Sequence, residues 1–155
     1  GDGDSSRLES KLVRERAIAT ATDVGTEDRR GPDSFMVTLK VASTATVAQV
    51  QSAFDAELAR IKAAPPSDDE MKKLRNTIES RFLFGLQSNF ARAQKLAEFE
   101  LYWGDANLLK TELDKYFAVT KEDITRVAKL YLKPETRSRI EVKPPPQQQK
   151  EKEAH

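Results

Sequence analysis

Phe35-Met36-Val37-Thr38-Leu39-Lys40-Val41 is followed within a few residues by Thr46-Val47-Ala48-Gln49, and these two stretches decide the fold. In the first, Phe35, Val37, Leu39 and Val41 alternate with Met36, Thr38 and Lys40, the period-two signature of a strand with one buried face. In the second, Thr46 and Gln49 form a capping box. It opens a helix whose apolar stripe is Val47, Val50, Phe54, Leu58 and Ile61. A strand passing into an amphipathic helix that can cover it is the nucleus of an α+β domain.

Upstream, Gly25 to Asp33 carries two glycines, a proline and several charges, which suits a hairpin loop. The Ala/Thr/Val-rich run from Ala17 to Val24 reads as the partner strand, with Ile18, Thr20, Thr22 and Val24 on one side. Before it, Ser6-Arg7-Leu8-Glu9 has the capping-box pattern and starts a helix with Leu8, Leu12 and Val13 on one face.

Downstream, Ala63-Ala64-Pro65-Pro66 ends the central helix, and Ser67-Asp68-Asp69-Glu70 starts another at once. Its stripe of Met71, Leu74, Ile78 and Phe82 runs on through Ala91 to Phe99 and Tyr102. A bend is expected between Gly85 and Asn89. Gly104-Asp105 stops that helix and caps the next, where Leu109, Leu113, Tyr116 and Phe117 should face inward. Thr120-Lys121-Glu122-Asp123 caps a further helix carrying Ile124, Val127, Ala128 and Tyr131, which Pro134 closes. Ser138 to Val142, with Ile140 and Val142 alternating against polar residues, predicts a third strand. The expected fold is therefore α+β: a small, mostly antiparallel sheet of about three strands. Several helices, including a long bent pair, should pack on one of its faces. The domain is expected over residues 1–142. The Pro/Gln/Lys/Glu-rich stretch 143–155 reads as a disordered tail.

The 155 residues suffice for one domain with one core. Lys and Arg number 26 against 25 Asp and Glu, so no broad positive field exists to attract a nucleic-acid backbone. There is no cysteine, which removes disulfides and thiolate chemistry and leaves the compartment open. No apolar run approaches the roughly 20 residues of a membrane span.

Catalytic chemistry is poorly supplied. The single histidine is His155, and a peptidase zinc needs at least two imidazoles and a carboxylate to activate water. The serines have no histidine partner within a folded core. Gly1-Asp2-Gly3 lacks the lysine and spacing of a phosphate loop. Asp2, Asp4 and the Asp68-Asp69-Glu70 cluster read as loop and capping acids rather than a magnesium or calcium site. No catalytic, cofactor-binding or metal residue is assigned. Three features invite a functional reading beside a plainer one. Arg7 could hold a substrate carboxylate, but an arginine in a first helical turn more often pairs with a local acid or carbonyl. Arg81, Asn89 and Arg92 could line a groove, but read better as a solvated face. Phe99, Tyr102 and Trp103 could anchor a partner, but read better as core packing.

Four stretches together resemble the insulinase/pitrilysin/mitochondrial-processing-peptidase family of zinc metallopeptidases. They are Gly3-Asp4-Ser5-Ser6-Arg7-Leu8 with Leu12-Val13-Arg14-Glu15, and Phe35 to Val41 with the Thr46 to Ile61 helix. The others are Pro66-Ser67-Asp68-Asp69-Glu70-Met71 leading into Leu86-Gln87-Ser88-Asn89, and Tyr102-Trp103-Gly104-Asp105 followed by Val119 to Ile124 and Tyr131-Leu132. The likeness runs from about residue 3 to 143, over what is the second half of a non-catalytic domain in the family, with the first strands lying upstream. It implies paired homologous domains enclosing a peptide-holding chamber, with zinc on an H-x-x-E-H helix. This chain has no such motif. The implied function is a non-catalytic, substrate-enclosing segment of a zinc endopeptidase, its zinc held by a homologous domain or subunit and not by this chain. The alternative is a scaffold or core-type subunit of a larger assembly. Some family members set an Arg and a Tyr against the substrate. That pair does not carry over, because the segment after Phe35 offers Lys40 and no tyrosine before Tyr102. Partners implied are the zinc-bearing unit and unfolded peptide, with no nucleic acid and no membrane span. Self-association through an open sheet edge and a periplasmic or secreted location in a bacterium complete the expectations.

Overall fold

A computed structural model describes residues 6–27 and 31–143. Asp2, Asp4, His155 and nearly all of the expected tail lie outside the described residues.

Among the described residues the first element is a π-helix, Glu9–Glu15, with Leu8 at its cap buried and Leu12 within it wholly buried. The Ser6 hydroxyl accepts from the Glu9 amide at 3.3 Å, half of the expected capping box. The Glu9 carboxylate takes the hydroxyl of Thr22 at 2.9 Å, linking the helix to the first strand.

Ala17, at φ 49°, turns the chain into β1 (Ala19–Gly25), which pairs antiparallel with β2 (Met36–Val41). A register shift between Ala19 and Ala21 marks a bulge at Thr20. The simple alternation Ile18, Thr20, Thr22, Val24 is therefore broken. Ala19 is buried and Thr20 exposed, while Thr22 and Val24 still turn inward opposite Leu39 and Val37. An extra residue in one strand shifts the inward face by one position, which a period-two reading does not anticipate.

Helix α1 (Val47–Ala63) lies against this hairpin. Its capping box is complete: Thr46 accepts from the Gln49 amide, and the Gln49 side chain accepts from the Thr46 amide at 2.8 Å. Val50 and Ala53 join Leu8, Leu12 and Ala19 in the buried core, flanked by Val13, Ile18, Val24, Val37, Leu39, Val41 and Phe54.

Helix α2 (Asp68–Gly85) begins at a second complete capping box, Ser67 with Glu70. The expected bend is a full break. Leu86 caps α2, and Ser88 accepts from the Ala91 amide at 3.0 Å to start α3 (Asn89–Trp103). A hydroxyl that satisfies free amides favours a new helix over a continued one. Gly104, at φ 73°, ends α3 in the left-handed conformation that glycine adopts without steric cost. A 3-10 turn, Ala106–Thr111, leads into α4 (Glu112–Phe117), which packs on α2. Helix α5 (Lys121–Tyr131), capped by Thr120 and Asp123, packs on α1. Thr125 ties it there by donating to the Ile61 carbonyl at 3.2 Å.

The class is α+β, with six helices of appreciable length and a two-stranded sheet among the described residues. Several expectations are corrected. Phe35 and Leu74, expected on inward faces, are exposed because nothing among the described residues covers them. Ser138 to Val142 forms no strand, because among the described residues no strand pairs with it and it makes no backbone hydrogen bond to β1 or β2. Tyr116 is exposed, since inward burial on the short α4 falls to Leu113 and Phe117. Val127 and Tyr131 are exposed because α5 is covered on one side only, by α1, where Ala128 is buried.

Candidate functional site

The densest polar site is built around Arg7. Its guanidinium grips Glu70 in a fork, Nε to Oε1 at 2.6 Å and Nη2 to Oε2 at 2.7 Å. The partner is an acid but not a local one, for it stands 63 residues away at the start of α2. Glu70 is held there by its own cap, accepting the Ser67 amide at 2.8 Å and donating its amide to the Ser67 hydroxyl at 3.2 Å. The hydrogen bond from Arg7 pulls the Glu70 carboxyl down to about 2, against burial and with help from the Ser67 amide. Arg7 is raised in turn, first by Glu70, with the charge of Glu57 adding to the effect. Glu57 is buried on α1 and takes Arg60 Nη1 at 2.9 Å. Sequence reasoning passed over Glu57, although an acid three residues beyond Phe54 in an apolar stripe was a legible signal. The arrangement clamps the N-terminal turn to α2. With its Nε and Nη2 forked onto Glu70, its charge is matched by a carboxylate of this chain rather than aimed at a substrate carboxylate.

The acids of the Asp68-Asp69-Glu70 cluster face different partners. Asp68 takes Lys121 Nζ at 2.8 Å, which lowers its pKa, and Glu70 takes Arg7. Asp69 lines a shallow groove along α2 with Lys72, Lys73, Arg81 and Phe84. Among the described residues no group of three His, Cys, Asp or Glu side chains is placed to hold a metal ion.

Arg92 donates to Asn89 Oδ1 at 2.5 Å, while Arg81 sits on the other side of the break between α2 and α3. The three residues therefore do not share one continuous helix face. Of the aromatic trio, only Phe99 is buried. Its ring lies 4.9 Å from that of Trp103, and Tyr102 meets Trp103 edge-on at 5.8 Å. Core packing describes Phe99, whereas Tyr102 and Trp103 are exposed.

A second shallow groove runs along α5, lined by Pro65, Arg126, Lys129, Leu130 and Lys133. Arg126 pairs with Asp123 at 2.9 Å. The Asp123 carboxyl is held at about 2, chiefly by the Thr120 hydroxyl and then by Arg126. Both grooves are open to solvent. What the described surface offers a ligand is a short sheet with unpaired main-chain edges, and the apolar flanks of α2 and α3. Among the described residues, no helix is long and apolar enough to cross a membrane.

No family model matches the chain, and no curated protein does. Solved structures do match. A protease from Helicobacter pylori aligns over 86% of this chain and 32% of its own, at 23% identity and a TM-score of 0.75. A protein from Bordetella pertussis Tohama I assigned as a zinc protease aligns over 88% of this chain and 75% of its own, at 22% identity and a TM-score of 0.72. The inactive peptidase domain of an assigned zinc protease from Bordetella parapertussis aligns over 89% and 74%, at 21% identity and a TM-score of 0.74. The likeness is one of fold: the chain has a zinc-protease-like fold, and it spans about a third of the Helicobacter pylori chain.

Proposed function

We propose that this chain is a non-catalytic, chamber-forming segment of a zinc endopeptidase of insulinase/pitrilysin type. In this reading it encloses unfolded peptide, while a homologous domain or subunit supplies the zinc and the general base. One observation carries it: a zinc-protease-like fold, shared with a domain named inactive, on a sequence with one histidine and no cysteine. Two imidazoles and a carboxylate are the minimum for such a zinc site, and they must come from elsewhere. The hairpin's role is positional. An extended peptide can add to a sheet edge through main-chain hydrogen bonds, which bind without demanding a sequence.

The test is peptidase activity of the isolated chain on an unfolded polypeptide, with and without added zinc and EDTA. No activity is expected under any condition. Stoichiometric zinc with EDTA-sensitive cleavage would overturn the proposal. An immunoblot of the source extract should show a native polypeptide, or a co-purifying partner, that carries an H-x-x-E-H motif.

The large apolar side chains standing out of α2 and α3 favour a second reading, a scaffold or core-type subunit of a larger assembly. A native complex with no H-x-x-E-H partner would favour it over the peptidase. A periplasmic or secreted location in a bacterium belongs to the first reading, and cell fractionation tests it.

A further inference from the structure

Besides the sheet edge and the flanks of α2 and α3, the groove along α5 joins apolar surface to charge. Pro65 and Leu130 supply its apolar part, Leu130 being 49% exposed. Arg126, Lys129 and Lys133 stand beside them, with Glu122 as the acid in the lining. Glu122, Arg126 and Lys129 recur three or four positions apart on α5, which sets them on one side of the helix. Arg126 is matched by Asp123 at 2.9 Å. Lys129 and Lys133 are exposed, and among the described residues neither has an ion pair. The groove is also fixed in place. Thr125 donates to the Ile61 carbonyl, and Lys62 Nζ to the Leu132 carbonyl. The last turn of α1, which leads into Pro65, is thereby tied to α5 at two points. A surface held before binding loses little freedom on binding.

We propose that this groove docks a short acidic peptide segment that carries an apolar side chain. The apolar side chain covers Leu130 and Pro65, and neighbouring carboxylates meet Lys129 and Lys133. Charge chooses the occupant. Three cations stand against one acid in the lining, an excess that suits a few carboxylates and is small for a phosphate backbone. An anionic membrane surface would also meet Glu122 and Asp123 at the start of α5 and Glu135 just after its end. A short segment avoids that repulsion through its own sequence. Because the groove is shallow and open, it suits a peptide better than a small molecule, which needs a concavity that buries most of its surface. This site is independent of whether the chain serves a peptidase.

Fluorescence anisotropy tests it, with the full chain and a labelled peptide of Leu-Glu-Glu repeats. Binding is expected, and it should weaken several-fold as salt rises from low to physiological ionic strength. The double variant Lys129→Glu/Lys133→Glu should weaken it by about tenfold or more, and Lys129→Gln/Lys133→Gln by less. Leu130→Ser should weaken it several-fold. All three side chains are exposed, so circular dichroism should stay unchanged in each variant. A peptide of Leu-Gln-Gln repeats should bind about tenfold more weakly than the acidic one. Absence of binding, equal binding of the two peptides, or full binding by the double variant overturns the proposal. So does a preference for phosphatidylglycerol vesicles or a single-stranded oligonucleotide over the peptide, lost in the same double variant, since the groove then serves a polyanionic surface.

Discussion

The N-terminal π-helix, hairpin and α1 bring their apolar side chains together, whereas α2, α3 and α4 leave many of theirs outside. In the first region Leu8, Leu12, Ala19, Val50 and Ala53 are buried in one cluster. In the second, Met71 and Phe99 are the buried apolar residues, while Phe90 and Leu101 stand 78% and 73% exposed. Helix α3 is apolar on two sides: Phe99 packs inward, and Phe90, Ala93, Ala97 and Leu101 follow one another down the outside at helical spacing. A helix apolar all round is normally buried all round. The difference teaches that the first region gathers its apolar side chains into one cluster, while the second leaves apolar faces of α2 and α3 exposed among the described residues.

The sharpest test sets one buried against one exposed residue. Leu12→Ala empties a fully enclosed site and should cost about 2–5 kcal/mol in denaturant unfolding. Phe90→Ala removes a larger side chain from solvent and should stay within about 0.5 kcal/mol. Comparable losses for both would mean that the two regions share one core, and the comparison would fail.

A middle-sized effect comes from the clamp that joins the regions. Arg7→Ala should lower stability by about 1 kcal/mol near neutral pH, a modest figure because both side chains are partly solvated. The folded-state pKa of Glu70 is depressed, so its stabilisation is fully present above the ordinary value of 4.5. It is lost as pH falls from there towards about 2. The gap between wild type and Arg7→Ala should close over that window in pH-dependent unfolding curves. A gap that persists at pH 2 would show that Arg7 acts through packing rather than charge. Asp123, whose carboxyl is also held at about 2, loses its part in both proteins and does not change the difference.

The smallest effect lies at the entrance to the hairpin. Ala17 holds φ 49°, a conformation that costs a residue with a Cβ and suits glycine. Ala17→Gly should raise the thermal midpoint slightly, corresponding to on the order of 0.5 kcal/mol once the extra freedom of the unfolded chain is subtracted. A lower midpoint would mean that the turn is held by more than its backbone preference.

Local chemistry was well written in the sequence. The caps at Thr46, Ser67 and Thr120 are all present as read, because each depends on side chains three residues apart in one chain segment. The β2 alternation holds over Val37, Leu39 and Val41, and the inward stripe of α1 also holds, since one strong period leaves few alternatives; Phe35, expected on the same face, lies before the strand and is exposed. The bulge at Thr20 was not legible, because an Ala/Thr-rich strand has little contrast between its two faces. Nor was the partner of Arg7 legible: Glu70 was visible as a capping acid, but nothing in spacing joins residues 63 apart. The outward Tyr116, Val127 and Tyr131 belong to the same class of miss. A helical stripe marks where an apolar face lies and not whether anything covers it.

By itself the sequence determined the α+β class, the helix starts at Thr46, Ser67 and Thr120, and the lack of a histidine set for zinc. These follow from periodicity, short-range capping and residue counts, which need no knowledge of distant neighbours. Only the tertiary structure decided that Arg7 and Glu70 clamp the two regions, that α2 and α3 separate at Ser88, and that Ser138–Val142 is left unpaired. A strand, unlike a helix, takes its hydrogen bonds from another segment of chain, so its sequence can announce it but only a neighbour can complete it.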